Sequence, residues 1–306
     1  MPELPEVEVT RRGIAGPLKG AAVLRVRMGK PLRWPLGREP ESLLGQVVGD
    51  ISRRGKYLWL PLASASSGSA SGSASGFASE SASESASESV SESFARSVPG
   101  GLLMHLGMSG SLALLPQDVQ PGPHDHFDLC TDRGTLRLND PRRFGAVVWS
   151  AGLDELPAAG LLRHLGAEPF DPSLTPQSFH AALQRRRAPI KAVLLAGDVM
   201  VGAGNIYACE ALFMAGIHPG LRADRISRPR AQRLLQALRL TLARALELGG
   251  STLRDFTDVH GMSGSYQTHA AVYGRAGQAC GQCGNPVRRQ VQAQRSTYFC
   301  AHCQRR

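Results

Sequence analysis

The 306-residue sequence has no long apolar segment: no stretch approaches the ~18 unbroken apolar residues typical of a membrane-spanning helix. Its start, MPELPEVEVTRR, holds acidic side chains where a secretory signal peptide has basic ones followed by an apolar run. These two absences predict a cytoplasmic protein that does not bind a membrane. Structural disulfides are rare in that compartment, so the six cysteines need another explanation.

Acidic residues are also scarce. Lys and Arg number 35 against 25 Asp and Glu, which gives a net charge of +10 and an isoelectric point near 9.8. This excess of positive charge favours a polyanionic partner, with nucleic acid ahead of an anionic membrane surface. The chain is long enough for two domains, each with its own core.

Residues 63–97 differ in composition from the rest of the chain. They include 16 serines and a repeated A-S-E-S pattern, and they have almost no apolar side chain to bury. A helix here would align Glu80, Glu84, Glu88 and Glu92 one turn apart, where like charges repel. We therefore predict a disordered loop inserted between two paired strands, a place where extra length costs little closure entropy. The insert carries net −3, so the remainder carries +13.

The pattern of apolar residues changes near residue 155. Before it, short alternating segments predict strands at 23–28, 56–62, 102–115 (two strands broken at 107–110), 127–130, 135–138 and 146–149. After it, helical periodicity predicts helices at 178–187, 190–197, 205–216 and 229–248. The predicted organisation is a β-rich domain over 2–150, a helical domain over 155–250, a polar loop over 251–269 and a cysteine-rich module over 270–306.

The cysteine-rich tail has the spacing Cys280-x2-Cys283-x16-Cys300-x2-Cys303. Two C-x-x-C pairs at this separation predict four thiolates around one tetrahedral Zn²⁺. Unpaired or redox cysteines would not explain two such pairs in a segment short of apolar residues. No open ligand position is predicted, so the zinc should be structural. Its hairpin would present Arg288, Arg289 and Arg295 to DNA, whereas Cys130 and Cys209 should be ordinary buried residues.

A glycine turn precedes the third predicted helix, in the sequence Gly202-Ala-Gly204-Asn205-Ile-Tyr207. Asn205 is a good candidate for the N-cap, and glycines allow a phosphate to approach backbone N–H groups at the positive end of a helix. Lys191 lies upstream. A lone G-x-G is most often only a turn, so phosphate binding is one of two open interpretations.

The N-terminal sequence Pro2-Glu3-Leu4-Pro5-Glu6 also has two interpretations. If Met1 is removed, Pro2 offers a secondary amine that can attack a sugar aldehyde carbon, and Glu3 can serve as general acid or base. The resulting iminium would acidify the C2′ proton and let the phosphate leave. Alternatively, the segment only begins a first helix whose apolar side chains face the core.

Six motifs occur in order along the chain, and together they resemble the bacterial formamidopyrimidine-DNA glycosylases from end to end. Only the serine-rich insert is foreign to that pattern. The motifs are P-E-L-P-E at 2–6, R-G-K-Y-L at 54–58, H-L-G-M-S-G at 105–110, D-P-R-R-F-G at 140–145, G-A-G-N-I-Y at 202–207 and the four cysteines.

The resemblance implies an α+β protein: an N-terminal β-sandwich with a leading helix, then a helical helix-two-turn-helix domain plus a four-cysteine zinc finger. It implies a monomer that binds damaged double-stranded DNA between these domains and carries one structural Zn²⁺. The implied reaction removes 8-oxoguanine or formamidopyrimidine and nicks the strand by β,δ-elimination. An extruded base is needed because the sugar C1′ is unreachable inside a stacked duplex.

The resemblance also implies residue roles. Pro2 would be the nucleophile, Glu3 the general acid/base and Lys56 an essential base, with Arg295 and Asn205 binding phosphates around the lesion. Met108, Arg142 and Phe144 would fill the gap left by the extruded nucleotide, as their chemistry allows. The loop over 251–269 would close over the flipped base. Further DNA contacts are expected from His105, Arg143, Lys191 and Tyr207.

Two alternatives remain open at this point. An endonuclease VIII-like enzyme of the same superfamily would remove oxidised pyrimidines, but that pattern has Gly where this sequence has Leu4. A non-enzymatic zinc-ribbon DNA-binding protein would explain the charge and the cysteines, but not Pro2-Glu3 or Lys56.

Overall fold

In its described residues, the N-terminal domain has one α-helix followed by nine strands, with a 3-10 helix at Pro40–Leu43. A computed structural model describes residues 2–64, 100–117, 119–251 and 264–306. The elements are α1 Leu4–Leu18, β1 Val23–Met28, β2 Gln46–Val48, β3 Ser52–Arg54, β4 Tyr57–Ser64, β5 Gly100–His105, β6 Ser111–Leu115, β7 Asp125–Thr131, β8 Gly134–Asn139 and β9 Ala146–Ser150.

The strands form two antiparallel sheets that enclose one core. One sheet has the order β1-β7-β8-β6, and the other has the order β2-β4-β5-β9 with β3 paired to β4. Alternate residues of the strands point inward, as Leu58, Leu60 and Leu62 do in β4. Val7 and Ile14 of α1 belong to the same core. The predicted β-sandwich with a leading helix is therefore confirmed.

The serine-rich insert joins two neighbouring strands. Strands β4 and β5 pair in antiparallel register, with Leu62 opposite Gly100, as expected for an enlarged hairpin connection. The predicted start of the insert was two residues too early, because Ala63 and Ser64 extend β4 and pair with Val47 and Gln46 of β2. Residues 65–97 of the insert lie outside the described residues, so the prediction of disorder stays a prediction.

The second domain is helical. Its helices are α2 Ala158–Leu162, α3 Pro176–Gln184, α4 Ile190–Ala196, α5 Asn205–Met214 and α6 Arg228–Glu247, with short 3-10 turns at Ala223–Arg225 and Tyr266–His269. Helices α3 to α6 share one core, in which Phe179, Tyr207 and Leu238 are fully buried. Within the described ranges, no helix is long and apolar enough to cross a membrane.

The cysteine-rich module is a hairpin of β10 (Arg288–Gln292) and β11 (Arg295–Phe299) that packs on helix α5. Its apolar side chains, including Val287 and Cys300, meet Cys209 and Phe213 of that helix. The Glu210 carboxylate fixes the preceding segment by accepting backbone N–H groups from Ala271, Val272 and Tyr273 at 2.7, 3.0 and 2.8 Å. Helix α5 therefore supports the module.

The four cysteines of the module fit a single zinc ion. Their sulfur atoms all lie within 4.8 Å of one another, with Sγ–Sγ distances of 3.9 Å for Cys280–Cys303 and 3.5 Å for Cys283–Cys300. A tetrahedral Zn²⁺ with Zn–S bonds of about 2.3 Å needs sulfurs about 3.8 Å apart. The module therefore holds the ligands of one structural Zn²⁺, as predicted, and Cys130 and Cys209 are buried outside the cluster.

We expect Cys283→Ser to lose the zinc and, with it, the fold of the module and DNA binding, because structural zinc contributes on the order of 10–16 kcal/mol in small domains. Cys130→Ser is the matched control, since it makes the same change at a buried cysteine outside the cluster. Elemental analysis should give one zinc per chain for the wild type and the control. A Cys283→Ser protein that binds duplex DNA normally without zinc would contradict this assignment.

Candidate active site and nucleic-acid interface

The N-terminal residues of the sandwich dock on the N-terminus of helix α5. Glu3 is 3% exposed, and its two carboxylate oxygens accept the N–H groups of Gly204 at 2.6 Å and Ile206 at 3.1 Å. The backbone N–H of Leu4 donates to the Gly202 carbonyl at 3.1 Å. A carboxylate at a helix N-terminus is stabilised by unpaired N–H groups and by the helix dipole. This contact places Pro2, itself buried, beside the second domain.

The glycine turn does not serve as the open phosphate-binding site that one interpretation of the sequence predicted. Its N–H groups bind the Glu3 carboxylate of the same chain, and Gly204, not Asn205, is the N-cap of α5. A Cβ at Gly204 would lie 2.2 Å from Cδ of Glu3, and a Cβ at Gly202 would lie 2.4 Å from Leu4. The two glycines are therefore required for the close approach of the N-terminus.

Glu6 connects three segments of the site. Its carboxylate accepts the Glu3 N–H at 2.7 Å, the Tyr207 hydroxyl at 2.5 Å and the Ser251 N–H at 2.7 Å. Sequence reasoning assigned Glu6 no role, although the spacing of Glu3 and Glu6 is that of a capping box. Glu6 therefore ties the N-terminus to α5 and to the first residue of the predicted capping loop. Residues 252–263 of that loop lie outside the described residues.

Tyr207 was predicted to contact DNA, and the structure corrects this. Its side chain is fully buried, and its hydroxyl donates to Glu6. Burial and the neighbouring Glu6 carboxylate raise the pKa of Tyr207 well above its usual value. The hydroxyl therefore stays protonated and donates to Glu6 within the candidate site.

Lys56 lies at the turn between β3 and β4, facing the same acidic residues. Burial lowers the pKa of Lys56, and the positive charge of Arg295 lowers it further. The negative charges of Glu3 and Glu6 raise it. Burial also raises the pKa of Glu3, as does Glu6, whereas Lys56 and the two backbone N–H donors lower it. The pKa values of Glu3 and Lys56 therefore depend on each other's charge, and that of Lys56 also on Arg295. Residues from the N-terminus, the sandwich and the cysteine-rich hairpin thus form one electrostatic cluster.

The turn that carries Lys56 is fixed to the second domain by Glu168. The Glu168 carboxylate accepts Arg53 at 2.9 Å, Arg54 at 3.0 Å and the Gly55 N–H at 2.6 Å. Arg54 also donates to the carbonyls of Leu165 and Gly166. Sequence reasoning missed Glu168, because its partners lie more than a hundred residues away along the chain. These bonds hold Lys56 against the domain that binds Glu3.

Lys191 and Asn205 lie behind the site. Lys191 is only 1% exposed, and its ammonium donates to Oδ1 of Asn205 at 2.6 Å and to the Thr297 hydroxyl at 2.7 Å. Asn205 in turn donates to the Ser296 carbonyl at 2.9 Å, next to Arg295. Lys191 is therefore placed to position Asn205 and the hairpin, and its direct contact with a phosphate would require these bonds to change.

Two loops of the sandwich present exposed side chains along an open cleft of 610 Å³. Met108 is 40% and Phe144 48% exposed, although both are large and apolar. Arg142 and Arg143 are exposed beside them, and Arg143 has φ 56°, a backbone region that non-glycine residues seldom occupy outside functional sites. Arg295 of the cysteine-rich hairpin also lines this cleft.

Asp140 holds the two loops together. It is fully buried and accepts the Ser109 hydroxyl at 2.7 Å and the Gly145 N–H at 2.7 Å. It thereby joins the loop of Met108 to the loop of Phe144. Asp140 is part of a recognised motif, yet its role as the link appears only in the structure.

His105 lies between these loops and Lys56. Burial lowers the pKa of His105 to about 4, and the positive charges of Lys56 and Arg33 contribute. Its Nδ1 accepts the Gly107 N–H at 3.0 Å, so the neutral ring carries its proton on Nε2. His105 therefore enters the cleft as a neutral donor, and Arg33 is a cleft residue that sequence reasoning missed.

Three family matches cover most of the chain. Residues 1–147 match the formamidopyrimidine-DNA glycosylase N-terminal domain, residues 165–257 the formamidopyrimidine-DNA glycosylase H2TH domain, and residues 277–306 the zinc finger found in FPG and IleRS. Formamidopyrimidine-DNA glycosylases of Acidovorax ebreus (strain TPSY) and Variovorax paradoxus (strain S110) are each 52% identical over 305 residues, covering all of both chains. The chain belongs to the formamidopyrimidine-DNA glycosylase family.

Solved structures of the family agree with this assignment. The MutM (FPG) protein of Thermus thermophilus is 36% identical, with a TM-score of 0.79 over 99% of this chain and 98% of that one. A point mutant of the Lactococcus lactis FPG, solved in complex with a Fapy-dG containing DNA, is 27% identical, with a TM-score of 0.81 over all of both chains. As a family member, the protein is a DNA glycosylase of base excision repair that binds damaged DNA, which favours it over the zinc-ribbon alternative.

We expect Gly204→Ala to reduce excision strongly, because its Cβ would collide with Glu3 and separate the N-terminus from α5. Gly16→Ala is the control: it makes the same change in the last turn of α1, where the added Cβ would meet nothing within 4 Å. Single-turnover excision should fall at least roughly tenfold in Gly204→Ala, which corresponds to about 1.4 kcal/mol. Equal rates in the two variants would show that the contact with Glu3 is dispensable.

Proposed function

We propose that this protein is a bifunctional glycosylase and AP lyase that removes oxidised purines, 8-oxoguanine and formamidopyrimidines, from duplex DNA. The observation that carries the proposal is the placement of the N-terminus: Pro2 precedes a buried Glu3 that is held on the N-terminus of α5 and faces Lys56. This brings an amine, a carboxyl group and an ammonium group together beside the cleft.

The first step is displacement of the damaged base. After removal of Met1, the Pro2 nitrogen has a free lone pair and attacks C1′ of the extruded nucleotide while the bond from C1′ to the base breaks. The leaving base needs a proton, and Glu3 supplies it, because burial raises the pKa of its carboxyl group and favours the protonated form. The nitrogen then loses its own proton, and opening of the sugar ring at O4′, which takes up a proton, leaves an iminium at C1′.

Strand cleavage follows from that iminium. Its positive charge makes the C2′ proton acidic, a base removes this proton, and the 3′ phosphate leaves in β-elimination. Loss of the 5′ phosphate by δ-elimination completes the nick. Lys56 acts as this base, and its lowered pKa supports the role because it increases the neutral fraction of the amine.

DNA is held by groups from both domains and the hairpin. Met108 and Phe144 are exposed apolar side chains that can enter the stack, and Arg142 can pair with the widowed base. Arg295 and Asn205 bind the phosphates around the lesion, with Lys191 fixing Asn205 from behind. Glu6 anchors Ser251, where the predicted capping loop begins.

We predict that Glu3→Gln binds a lesion duplex normally yet fails to release the base, since the amide has no proton of suitable acidity to donate. It should still nick a ready-made abasic site, where no base has to leave. The test is strand sizing after incubation with duplexes that carry 8-oxoguanine, an oxidised pyrimidine or an abasic site. Preference of the wild type for the pyrimidine duplex would favour the endonuclease VIII-like alternative, and equal loss on all three substrates would refute the role of Glu3 in base release.

A further inference from the structure

Helix α6 carries a second concentration of positive charge at the end remote from the active site. The arginine surface defined here comprises Arg187, Arg222, Arg225, Arg228, Arg230 and Arg233. Its members come from the turn before α4, from the 3-10 turn Ala223–Arg225 and its preceding residue, and from the first two turns of α6. Nothing in the reaction described above uses them.

The arginine surface is poorly neutralised. Asp224 is its only acidic neighbour with a described contact: Arg222 binds it at 2.6 Å, and this hydrogen bond lowers the pKa of Asp224, with Arg187 and Arg225 adding to the effect. Burial and the charge of Arg233 lower the pKa of Arg230, as expected where like charges are crowded. Within the described ranges, Arg225, Arg228 and Arg233 are exposed and form no ion pair.

The position of these charges on the helix is unfavourable for stability. Arg228 and Arg230 lie in the first turn of α6, at the positive end of its dipole, and that turn has no acidic residue. Cations are stabilising at the opposite end of a helix. A bound polyanion would turn this arrangement from a repulsive one into an attractive one, because the helix dipole and the arginines would act on it together.

The length of α6 separates the arginines of its first two turns from the cleft. Helix α6 has 20 residues, which corresponds to about 30 Å at about 1.5 Å per residue. Its C-terminal end is followed by Ser251, whose N–H binds Glu6 in the active site. Arg228 and Arg230 at its other end are therefore about 30 Å from Glu6 along the helix. Arg187 and Arg222 lie nearer to the site, because Arg222 pairs with Pro189, two residues before Lys191.

We propose that the arginine surface binds a second segment of duplex DNA while the first lies in the cleft. The ligand chemistry is that of the phosphate backbone, which exposed arginines bind without reading sequence. A protein with two such surfaces can pass directly from one duplex segment to another, because the second contact forms before the first one breaks. The inference rests on the proposed function for its first duplex and adds a search step to it.

The test uses the full-length protein bound to a short fluorescent duplex without a lesion and then mixed with increasing amounts of unlabelled duplex. In the wild type, release of the labelled duplex should accelerate with the concentration of the competitor. In Arg225→Gln/Arg228→Gln/Arg233→Gln, this acceleration should be much smaller. The salt dependence of the competitor effect should also fall by up to roughly 2.7 in log–log slope, at ~0.9 per lost phosphate contact.

The control is Arg12→Gln/Arg133→Gln/Arg163→Gln, which removes the same charge from three exposed arginines elsewhere. It should keep the acceleration, and both variants should excise 8-oxoguanine in a single turnover at the wild-type rate. Equal behaviour of the two triple variants in the competitor assay would overturn the proposal. The proposal would also be overturned if the Arg225/Arg228/Arg233 variant bound the first duplex more weakly, because these arginines would then belong to the cleft. Absence of excision in the wild type would instead refute the proposed function.

Discussion

The contact between the Glu3 carboxylate and the N-terminus of helix α5 is the interaction on which the rest of the site depends. It joins residue 3 to residues 204 and 206, and so it joins the sandwich to the helical domain at the candidate site. Burial of a carboxylate is costly unless its oxygens are hydrogen-bonded, and here backbone N–H groups that a helix leaves unpaired supply those bonds. Two glycines make the approach possible, since any side chain at either position would overlap Glu3 or Leu4.

Helix α5 extends this role to the other parts of the molecule. Tyr207, in its first turn, binds Glu6 and through it the base of the predicted capping loop. Glu210, almost one turn later, holds the segment that leads into the zinc module, and Cys209 and Phe213 pack on that module. The single helix therefore sets the relative positions of the N-terminal amine, the loop and the hairpin that carries Arg295. A change in this helix should affect all three together.

Much of the fold could be predicted from local sequence signals. Alternating strands, helical periodicity and the cysteine spacing are short-range patterns, and the elements they predicted are present with shifts of a few residues at their ends. The site was predictable only where a motif carried it. Glu168 and Asp140 act through partners distant in the sequence, and the glycine turn binds a carboxylate of the same chain instead of serving as an open phosphate site. Tyr207 shows the limit of motif reasoning: the motif predicted a DNA contact, but its side chain is fully buried and its hydroxyl donates to Glu6.

The central claim is that this arrangement delivers the Pro2 nitrogen to the sugar. Lys56 is the competing nucleophile, since burial lowers the pKa of its amine. The most direct measurement is borohydride reduction of the protein on a lesion duplex, followed by mapping of the crosslinked peptide. The account predicts a stable amine linkage on a peptide that begins at Pro2, with Met1 absent, and no crosslink when an added residue converts the Pro2 nitrogen to an amide. A crosslink on Lys56, or one that persists with the extended N-terminus, would contradict it.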